Sequence, residues 1–458
     1  MPAKTIFSVA DVIKVFRDPI YSLISFSKKE DKAILDIINT PEFQRLRRIR
    51  QLGFSSYTFP TATHDRFSHS LGVAFLIGEM FDNLNIPSMI KVNTPGGEEV
   101  QLSKSQLKLL LKLAGLLHDI GHGPFSHAFE KVTKVDHEEM SIKIINNKKG
   151  NIYPVLTSMD DEILKKYAVD WIKEILTGTF RPIWAKELIS SQLDADRMDY
   201  LLRDAYMCGV NYASFDLKWL FQNIEIGNIP TEDNRLGLLI NAKKGIHAVE
   251  AFIISRYHMY EQVYFHKTTR GFEVLAQKIF ERLKELVSAG ADISFINPYL
   301  KDFILDNSNL DAYLSLDDFN LFTHFKHWAD DNKDEILKML CYNVINRKPY
   351  KMFREVENKE LFNRKEYKKI AKLFNDENKE NYYYFEDQYL NVAYKDYYLL
   401  GKKTAHKAEH IWLKYPDGDL KEFAEVSPII KSLRNNELRK KRAYIYRNYL
   451  EKIKKALL

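Results

Sequence analysis

Cysteine is almost absent from this sequence. Only Cys208 and Cys341 occur among the 458 residues, so the chain can form neither a framework of several disulfide bonds nor a zinc site made of thiolates alone. Such a low cysteine content is what a reducing compartment permits. We therefore predict a cytoplasmic protein.

Long apolar runs are also missing. No stretch approaches the about 20 apolar residues that span a bilayer, and the N-terminus lacks the apolar core of a signal peptide. Eighteen glycines and fourteen prolines are too few for long linkers or low-complexity segments. The sequence therefore predicts folded domains with no membrane partner.

Neither sign of charge dominates. The 68 basic and 62 acidic residues leave a net charge of +6, a mild excess that is compatible with a polyanionic ligand but does not require one. A hydrophobic content of 45% is ordinary for a globular protein. The length allows two or three domains and a large core.

One short segment, residues 116–130, concentrates the chemically active groups. Its histidines and carboxylates are His118, Asp119, His122, His127 and Glu130. It follows a leucine-rich helical run, where buried polar groups must find partners, and imidazole with carboxylate suits a divalent transition metal. Neighbouring residues leave a helix about 100° apart, so an ion shared by His118 and Asp119 needs further ligands from elsewhere. One such histidine alone is usually a core or surface residue, whereas the set favours a metal or catalytic site.

The same segment predicts a break between two helices. Gly121, Gly123 and Pro124 suit the end of one helix and the first turn of another. His127 and Glu130 would then be three residues apart on the second helix, close enough for the carboxylate to orient the imidazole.

Elsewhere the pattern is mostly helical. We predict a short hairpin within residues 5–27, helices from Asp31, from Pro41 and over residues 71–80, and a surface connection over 86–105. A small hairpin is predicted at 224–240, followed by a long helix with an aromatic stripe that is either core or a base-stacking surface. A basic terminal helix is predicted from Leu433 to Leu458.

A helix over residues 193–204 carries closely spaced aspartates. Asp194, Asp196, Asp199 and Asp204 alternate with an apolar stripe. A salt-bridged exposed face explains some of these carboxylates, but not those that lie beside core positions.

Four ordered blocks resemble the HD-domain phosphohydrolases, and among them the deoxynucleoside triphosphate triphosphohydrolases. The blocks are residues 43–47 (Phe-Gln-Arg-Leu-Arg), 66–72 (Arg-Phe-Ser-His-Ser-Leu-Gly), 118–127 (His-Asp-Ile-Gly-His-Gly-Pro-Phe-Ser-His) and 194–200 (Asp-Ala-Asp-Arg-Met-Asp-Tyr). The resemblance covers about residues 6–270. A lone His-Asp pair would be weak, whereas the combined blocks are specific.

The resemblance implies hydrolysis of a dNTP to deoxynucleoside and intact triphosphate. It assigns a divalent metal (iron, manganese, zinc or nickel) to His69, His118, Asp119 and Asp196, with magnesium accompanying the nucleotide. It makes His127 the leaving-group acid, oriented by Glu130 at a position where the family favours Asp. It places His122 and His137 against phosphate or the bridging oxygen, with Glu138 supporting His137.

The resemblance also implies substrate contacts. It assigns the triphosphate to Arg66, Arg197 and Lys267, the sugar to Gln51, Tyr200 and Asp204, and phosphate- and base-side contacts to Arg256 and Tyr264.

A separate activating site for a dNTP or GTP is implied in part. Lys14, Val15, Gln44 and Arg47 match it, whereas Asn39 replaces an Asp that reads guanine. In a second such site, Ala242 and Ala248 replace polar or cationic groups and Lys244 remains. The resemblance also implies a homo-oligomer, namely a homotetramer.

We therefore predict a mainly α fold: an HD-domain helical core with small β-hairpins over residues 1–285, and a mixed C-terminal lobe over 286–458 that ends in the basic helix. One alternative is another HD-domain phosphodiesterase or nucleotide phosphatase. The other is a nucleic-acid-binding protein that uses the basic helix and keeps a relic site; nucleic acid is thus a secondary partner.

Overall fold

The computed structural model describes residues 12–230, 235–330, 333–374, 380–391, 410–434 and 438–458. It is mainly helical with small sheets, which confirms the predicted fold class. The α-helices are Lys32–Ile38, Pro41–Arg45, Arg66–Asn83, Lys104–Leu117, His127–Thr133, His137–Ile145, Ile152–Thr157, Glu162–Thr177, Ile183–Glu187, Ala195–Cys208, Leu217–Gln222, Ile246–Met259, Lys267–Ser288, Pro298–Leu305, Leu310–Leu314, Asp318–Asp330, Glu335–Ile345, Arg364–Phe374, Glu380–Tyr383, Phe423–Val426, Pro428–Arg434 and Leu450–Leu457.

The strands are short and form four sheets. They are β1 Ile13–Asp18, β2 Ser22–Ser27, β3 Met89–Asn93, β4 Glu99–Ser103, β5 Ile224–Asn228, β6 Leu236–Asn241, β7 Lys351–Glu357, β8 Tyr384–Asn391, β9 Trp412–Lys414, β10 Leu420–Glu422 and β11 Leu438–Ile445. The sheet orders are β1-β2, β3-β4, β10-β9-β6-β5 and β7-β11-β8.

Three capped helices form the frame around the site. Asp65 caps Arg66–Asn83, Ser103 caps Lys104–Leu117 through a reciprocal capping box with Gln106, and Asp194 caps Ala195–Cys208. Each cap satisfies backbone N–H groups that the first turn leaves open. The helices therefore begin at fixed residues, and the side chains of their first turns have defined directions.

The first and third of these helices approach very closely. A Cβ atom added to Gly72 would lie 1.9 Å from Oδ1 of Asp199. Only a residue without a side chain fits there, and the contact brings His69, three residues earlier, beside the Ala195–Cys208 helix.

Two predicted hairpins are confirmed and one prediction is wrong. β1 pairs with β2, and β5 with β6, in antiparallel register; residues 5–11 of the first hairpin prediction lie outside the described residues. Residues 86–105 contain the hairpin β3-β4 instead of an irregular connection. Ile90 and Val92 alternate inward along β3, the period-2 pattern of a strand packed on one face.

The predicted terminal helix over 433–458 is also wrong in extent. Within the described residues, Pro428–Arg434 and Leu450–Leu457 are helical and β11 lies between them, paired with β7 on one edge and β8 on the other. The pairing buries Ala443, Tyr444 and Ile445. The partner strands β7 and β8 are distant from β11 in sequence. Their pairing places β11 at the centre of a sheet, and this tertiary context overrides the local preference for helix.

Sheet contacts cross the predicted domain boundary at residue 285. β9 pairs in parallel with β6, for example Leu239 with Trp412, and β10 extends the same sheet. Segments from both predicted domains therefore build one sheet. Among the described residues, none of the helices has the length and apolar character of a membrane span.

Candidate metal and phosphate site

The four predicted metal ligands lie together. Oδ1 of Asp196 is 3.1 Å from Nε2 of His69 and 3.5 Å from Nε2 of His118. Asp119 is 3.3 Å from Nε2 of His118 through Oδ1 and 3.7 Å from Nε2 of His69 through Oδ2. His69 and Asp196 come from two packed helices, while His118 and Asp119 follow directly after Leu117. Ligand atoms of His69, His118 and Asp119, one from each, lie within 4.8 Å of one another, and Asp196 adjoins both imidazoles.

Both histidines present the nitrogen that a cation needs. Nδ1 of His69 donates to Oδ2 of Asp199 at 2.8 Å, and Nδ1 of His118 donates to the carbonyl of Gly115 at 2.7 Å. These bonds fix the tautomers and direct both Nε2 atoms toward the carboxylates. Nε2 of His118 is buried and has no hydrogen-bond partner among the described residues. This donor set fits a divalent transition metal.

The carboxylates are strongly ionised. Burial alone would raise the pKa of Asp196, but His118 and His69 hold it far below its usual range. Asp119 is likewise held ionised against burial by His118 and Arg66, which lower its pKa. Burial lowers the pKa of His69, yet hydrogen bonds to Asp196 and Asp199 raise it to about 10. The cluster therefore carries negative charge to offer a cation once His69 loses its proton.

Asp199 forms a buried support that the sequence interpretation did not assign. Besides His69, it accepts from Arg203 at 2.9 Å and from the hydroxyl of Tyr21 at 2.9 Å, and Arg203 also donates to Asp18 at 2.7 Å. Although burial would raise the pKa of Asp199, Arg203 and His69 lower it to about 2. The i, i+4 spacing of Asp199 and Arg203 was the available sequence signal.

Glu130 lies between two histidines beside the metal ligands. Its Oε1 is 2.9 Å from Nδ1 of His137 and 3.4 Å from Nδ1 of His122, and the two rings stack with centroids 3.9 Å apart. Nε2 of His122 is 3.2 Å from Oδ1 of Asp119. The predicted contact of Glu130 with His127 lies outside the described side chains, because only the backbone of His127 is described.

The two stacked histidines differ in charge. Burial and the nearby Arg66 lower the pKa of His122 to about 4. Burial also opposes the charged form of His137, but the hydrogen bond and charge of Glu130 raise its pKa above the usual value. His137 therefore holds its proton more readily than His122 does. Glu138, which we expected to support His137, is exposed, and its backbone N–H bonds to Asp136.

A cavity of about 440 Å³ joins this cluster to an aromatic wall. Arg66, Asp119, His122, Glu130, His137 and Asp196 line one side, and Gln51, Tyr200, Asp204, Tyr260, Tyr264 and Phe265 line another. The hydroxyl of Tyr264 donates to Oδ2 of Asp204 at 2.8 Å, while Nε2 of His64 bonds Oδ1 at 2.7 Å. His64, which the sequence interpretation missed, therefore fixes that wall.

The predicted phosphate-binding cations are not all brought together. Arg66 lines the cavity and donates to Asp119 and to Oγ of Ser126. Arg197 donates to Asp194, and Arg256 is buried near the ring of Tyr260. Arg197, Arg256 and Lys267 are not among the described residues that line the cavity. Nε and Nη1 of Arg256 have no hydrogen-bond partner in that part of the chain.

The residues matched to an activating site lie on the hairpin and on the adjacent helix and turn. Lys14 and Val15 are exposed on β1. Oε1 of Gln44 accepts from Nε of Arg47 at 2.9 Å, and the Arg47 guanidinium lies 3.5 Å from the ring centre of Phe67. Lys14 and Val15 are thus accessible to solvent on the hairpin surface.

Comparison with known proteins agrees with this geometry. Residues 66–204 match the HD domain, and residues 226–296 match the HD associated region. The four clustered side chains all fall within the first match. The fold and site together define an HD-domain phosphohydrolase.

Relatives place the chain more narrowly. The uncharacterized protein YwfO of Bacillus subtilis is 35% identical over 424 residues, which are 92% of this chain and 89% of that protein. The chain belongs to the HD-domain family that includes YwfO. Human deoxynucleoside triphosphate triphosphohydrolase SAMHD1 is 29% identical over 73% of this chain and 54% of its own length. A crystal structure of a phosphohydrolase from Bacteroides thetaiotaomicron superposes with a TM-score of 0.75 at 28% identity, covering 95% of this chain and all of that chain.

Proposed function

We propose that this protein hydrolyses dNTPs to deoxynucleoside and triphosphate. The observation that carries the proposal is one cavity whose lining combines Asp119, Asp196, His122 and His137 with Tyr200, Asp204 and Tyr264. His69 and His118 lie behind these carboxylates, in contact with Asp196. The volume of the cavity is within the range of small-molecule sites, roughly 300–1,000 Å³. The similarity to SAMHD1 supports the choice of a dNTP over other phosphate esters.

His69, His118, Asp119 and Asp196 would hold the metal. When bound, a divalent cation supplies an acidified water and polarises a phosphate oxygen. Iron, manganese, zinc and nickel suit this donor set, and magnesium would accompany the nucleotide.

The surrounding side chains would bind and orient the phosphates. Arg66 presents its guanidinium at the cavity wall beside Asp119. Against the effect of burial, the hydrogen bond to Glu130 raises the pKa of His137 and so favours its positively charged form. Both charges would offset the phosphate oxygens during cleavage. Arg197, Arg256 and Lys267 would contribute only after their side chains turn toward the nucleotide.

A proton must reach the leaving 5′-oxygen, and we assign that role to His127. Its backbone begins the helix that presents Glu130 to the cavity. His137 is the competing donor. A nucleotide p-nitrophenyl ester hardly needs an acid, so the true donor's alanine variant should regain activity on it. Recovery of His137→Ala without recovery of His127→Ala would reverse the assignment.

The sugar would lie against Gln51, Tyr200 and Asp204, with Tyr264 on the base side of the same cavity. Asp204 is held by hydrogen bonds with Tyr264 and His64, so an extra 2′-hydroxyl would meet a carboxylate that already has partners. Buried polar groups left without partners disfavour such a ligand. We expect dGTP to be hydrolysed much faster than GTP, and equal rates would remove the sugar assignment.

The test of the whole proposal is product analysis. Purified protein is incubated with each dNTP and several metals, and nucleoside, triphosphate and phosphate are separated by chromatography. Nucleoside and triphosphate in equal amounts are expected from the wild type, and none from Asp196→Ala, which should also lose bound metal. Release of phosphate alone would instead indicate another HD-domain phosphatase.

Nucleotide activation and a homotetramer are further parts of the proposal. Val12, Val15 and Leu23 expose large apolar side chains on the β1-β2 hairpin, as expected of a surface that meets another subunit. Size-exclusion chromatography with and without GTP or dNTP should show assembly, and a monomer under all conditions would refute this part.

A further inference from the structure

Residues 121–126 connect the metal ligands to the Glu130 helix in a strained conformation. Phe125 and Ser126 both have positive φ angles, 52° and 47°, and ψ of Ser126 is −110°. Non-glycine residues adopt such angles only when surrounding contacts enforce them. Something must therefore hold this loop.

The holding contacts come from residues 313–318, which lie outside both regions matched to HD families. The hydroxyl of Tyr313 donates to the carbonyl of Gly121 at 2.6 Å. Oδ1 of Asp318 accepts from the backbone N–H of Phe125 at 2.8 Å, and Oδ2 accepts from that of Arg50 at 2.9 Å. Both side chains are almost fully buried.

Arg45 contacts the same loop as well, and we call Arg45, Tyr313 and Asp318 together the clamp. Its Nη1 donates to the carbonyl of His122 and its Nε to the carbonyl of Leu316, each at 2.9 Å. The guanidinium lies 5.1 Å from the ring centre of Tyr313. The loop is thus fixed through backbone groups at Gly121, His122 and Phe125.

We propose that Asp318 and Tyr313 are positioning residues that hold residues 121–126 so that His122 lies between Asp119 and Glu130. Neither side chain lines the cavity. Each contacts the loop through its backbone, Tyr313 at Gly121 and Asp318 at Phe125. The proposal rests on the proposed function for its rate measurement, whereas the loop contact itself does not.

Asp318 also gives the clamp a pH signature. Burial raises its pKa to about 6, against the backbone bonds from Arg50 and Phe125 and the charge of Arg50, while Asp317 acts in the same direction as burial. Arg45 is the other cation whose charge reaches this carboxyl. Protonation would convert one acceptor oxygen to a donor and leave one backbone N–H without its partner.

Asp318→Asn imitates the protonated side chain at every pH. We expect kcat to fall by about 10- to 100-fold, as for misplaced catalytic groups, with KM within about twofold. Hydrogen exchange of residues 121–126 should be faster. The ratio of wild-type to variant kcat should be large at pH 8 and shrink below about pH 6, because the wild type then loses the same bond.

Asp317→Asn is the matched control. Asp317 is adjacent, but it accepts from Arg48 at 2.5 Å and from the N–H of Asn320 at 2.9 Å, and it does not bond the loop. Its kcat and loop exchange should stay within about twofold of the wild type. An equal loss in both variants would overturn the proposal.

Tyr313→Phe decides the question if Asp318→Asn does not fold. It removes only the hydroxyl, so circular dichroism should be unchanged while exchange near Gly121 rises and kcat falls by about 3- to 10-fold. Wild-type exchange and kcat in Tyr313→Phe, or a rise in KM without loss of kcat in Asp318→Asn, would refute positioning. If the wild type hydrolyses no dNTP, the proposed function fails, and the exchange comparison still decides the clamp.

Discussion

Replacement of Asp199 by Asn tests whether the candidate metal site depends on a residue that supports a proposed ligand, His69, from behind. Asp199 is fully buried, and its carboxylate accepts from Nδ1 of His69, from Arg203 and from Tyr21. An asparagine has one acceptor oxygen and an NH₂ group, so it must present donors to His69 or to Arg203. Either arrangement disturbs the His69 tautomer or leaves Arg203 partly unpaired.

The magnitude follows from the burial and from the remaining partner. Removing one member of a buried ion pair costs about 3–5 kcal/mol of unfolding free energy. Arg203 keeps its 2.7 Å bond to Asp18, so we expect a value near the lower end, about 3 kcal/mol. Loss of the hydrogen bond that orients a metal-binding histidine weakens metal affinity by about 10- to 100-fold.

Two assays separate these effects. Urea denaturation of the metal-free protein gives the change in stability, and titration of the folded variant with Mn²⁺ or Zn²⁺ gives the change in Kd. Tyr21→Phe is the matched control, because it removes one hydrogen bond to the same carboxylate and leaves the contact with His69. It should cost about 1 kcal/mol and leave Kd unchanged. A folded Asp199→Asn protein with wild-type Kd would refute the supporting role of Asp199.

Three further predictions concern other parts of the structure. Burial raises the pKa of Glu187 to about 7, so this side chain contributes its full stabilisation below its unfolded pKa of about 4.5 and loses it, about 3 kcal/mol, as pH rises through 7. Between pH 4.5 and 8, urea denaturation should therefore show the stability of Glu187→Gln rising by about that amount relative to the wild type. A difference that stays constant with pH would contradict this prediction. A Cβ at Gly121 would lie 2.2 Å from the carbonyl of His137 and the N–H nitrogen of Ser141, so Gly121→Ala should lose about 1–3 kcal/mol by thermal denaturation, and an unchanged Tm would be the contrary result. Against burial, neighbouring carboxylates raise the pKa of His69 to about 10, so a metal that binds His69 must displace its proton. Metal affinity should therefore rise about tenfold per pH unit between pH 6 and 8, and a pH-independent Kd would exclude His69 as a ligand.

The sequence predicted most of the helical frame because those elements carry local signals. The capped helix start at Asp194 and the β1-β2 hairpin around Arg17-Asp18-Pro19 depend on residues close in the chain. The ordered HD blocks predicted which side chains would meet at the metal site, and the structure brings those four together.

Contacts between distant segments were beyond local patterns. β11 was predicted as helix because its pairing with β7 and β8 is not encoded within residues 438–445. The three-residue spacing on one helix predicted a contact between Glu130 and His127. The partners of Glu130 that the structure describes are His122, from the preceding loop, and His137, from the next helix. The clamp on the loop, from Asp318 and Tyr313, has no sequence signature for the same reason.

The sheet β10-β9-β6-β5 has a consequence for the order in which the chain can fold. β6 offers a parallel edge at residues 239–241 that is completed only by Trp412–Lys414. Until those residues have left the ribosome, β6 keeps this edge open, and an open strand edge is prone to intermolecular pairing. A chain that stops before Trp412 should therefore aggregate more readily than one in which β9 covers the edge of β6.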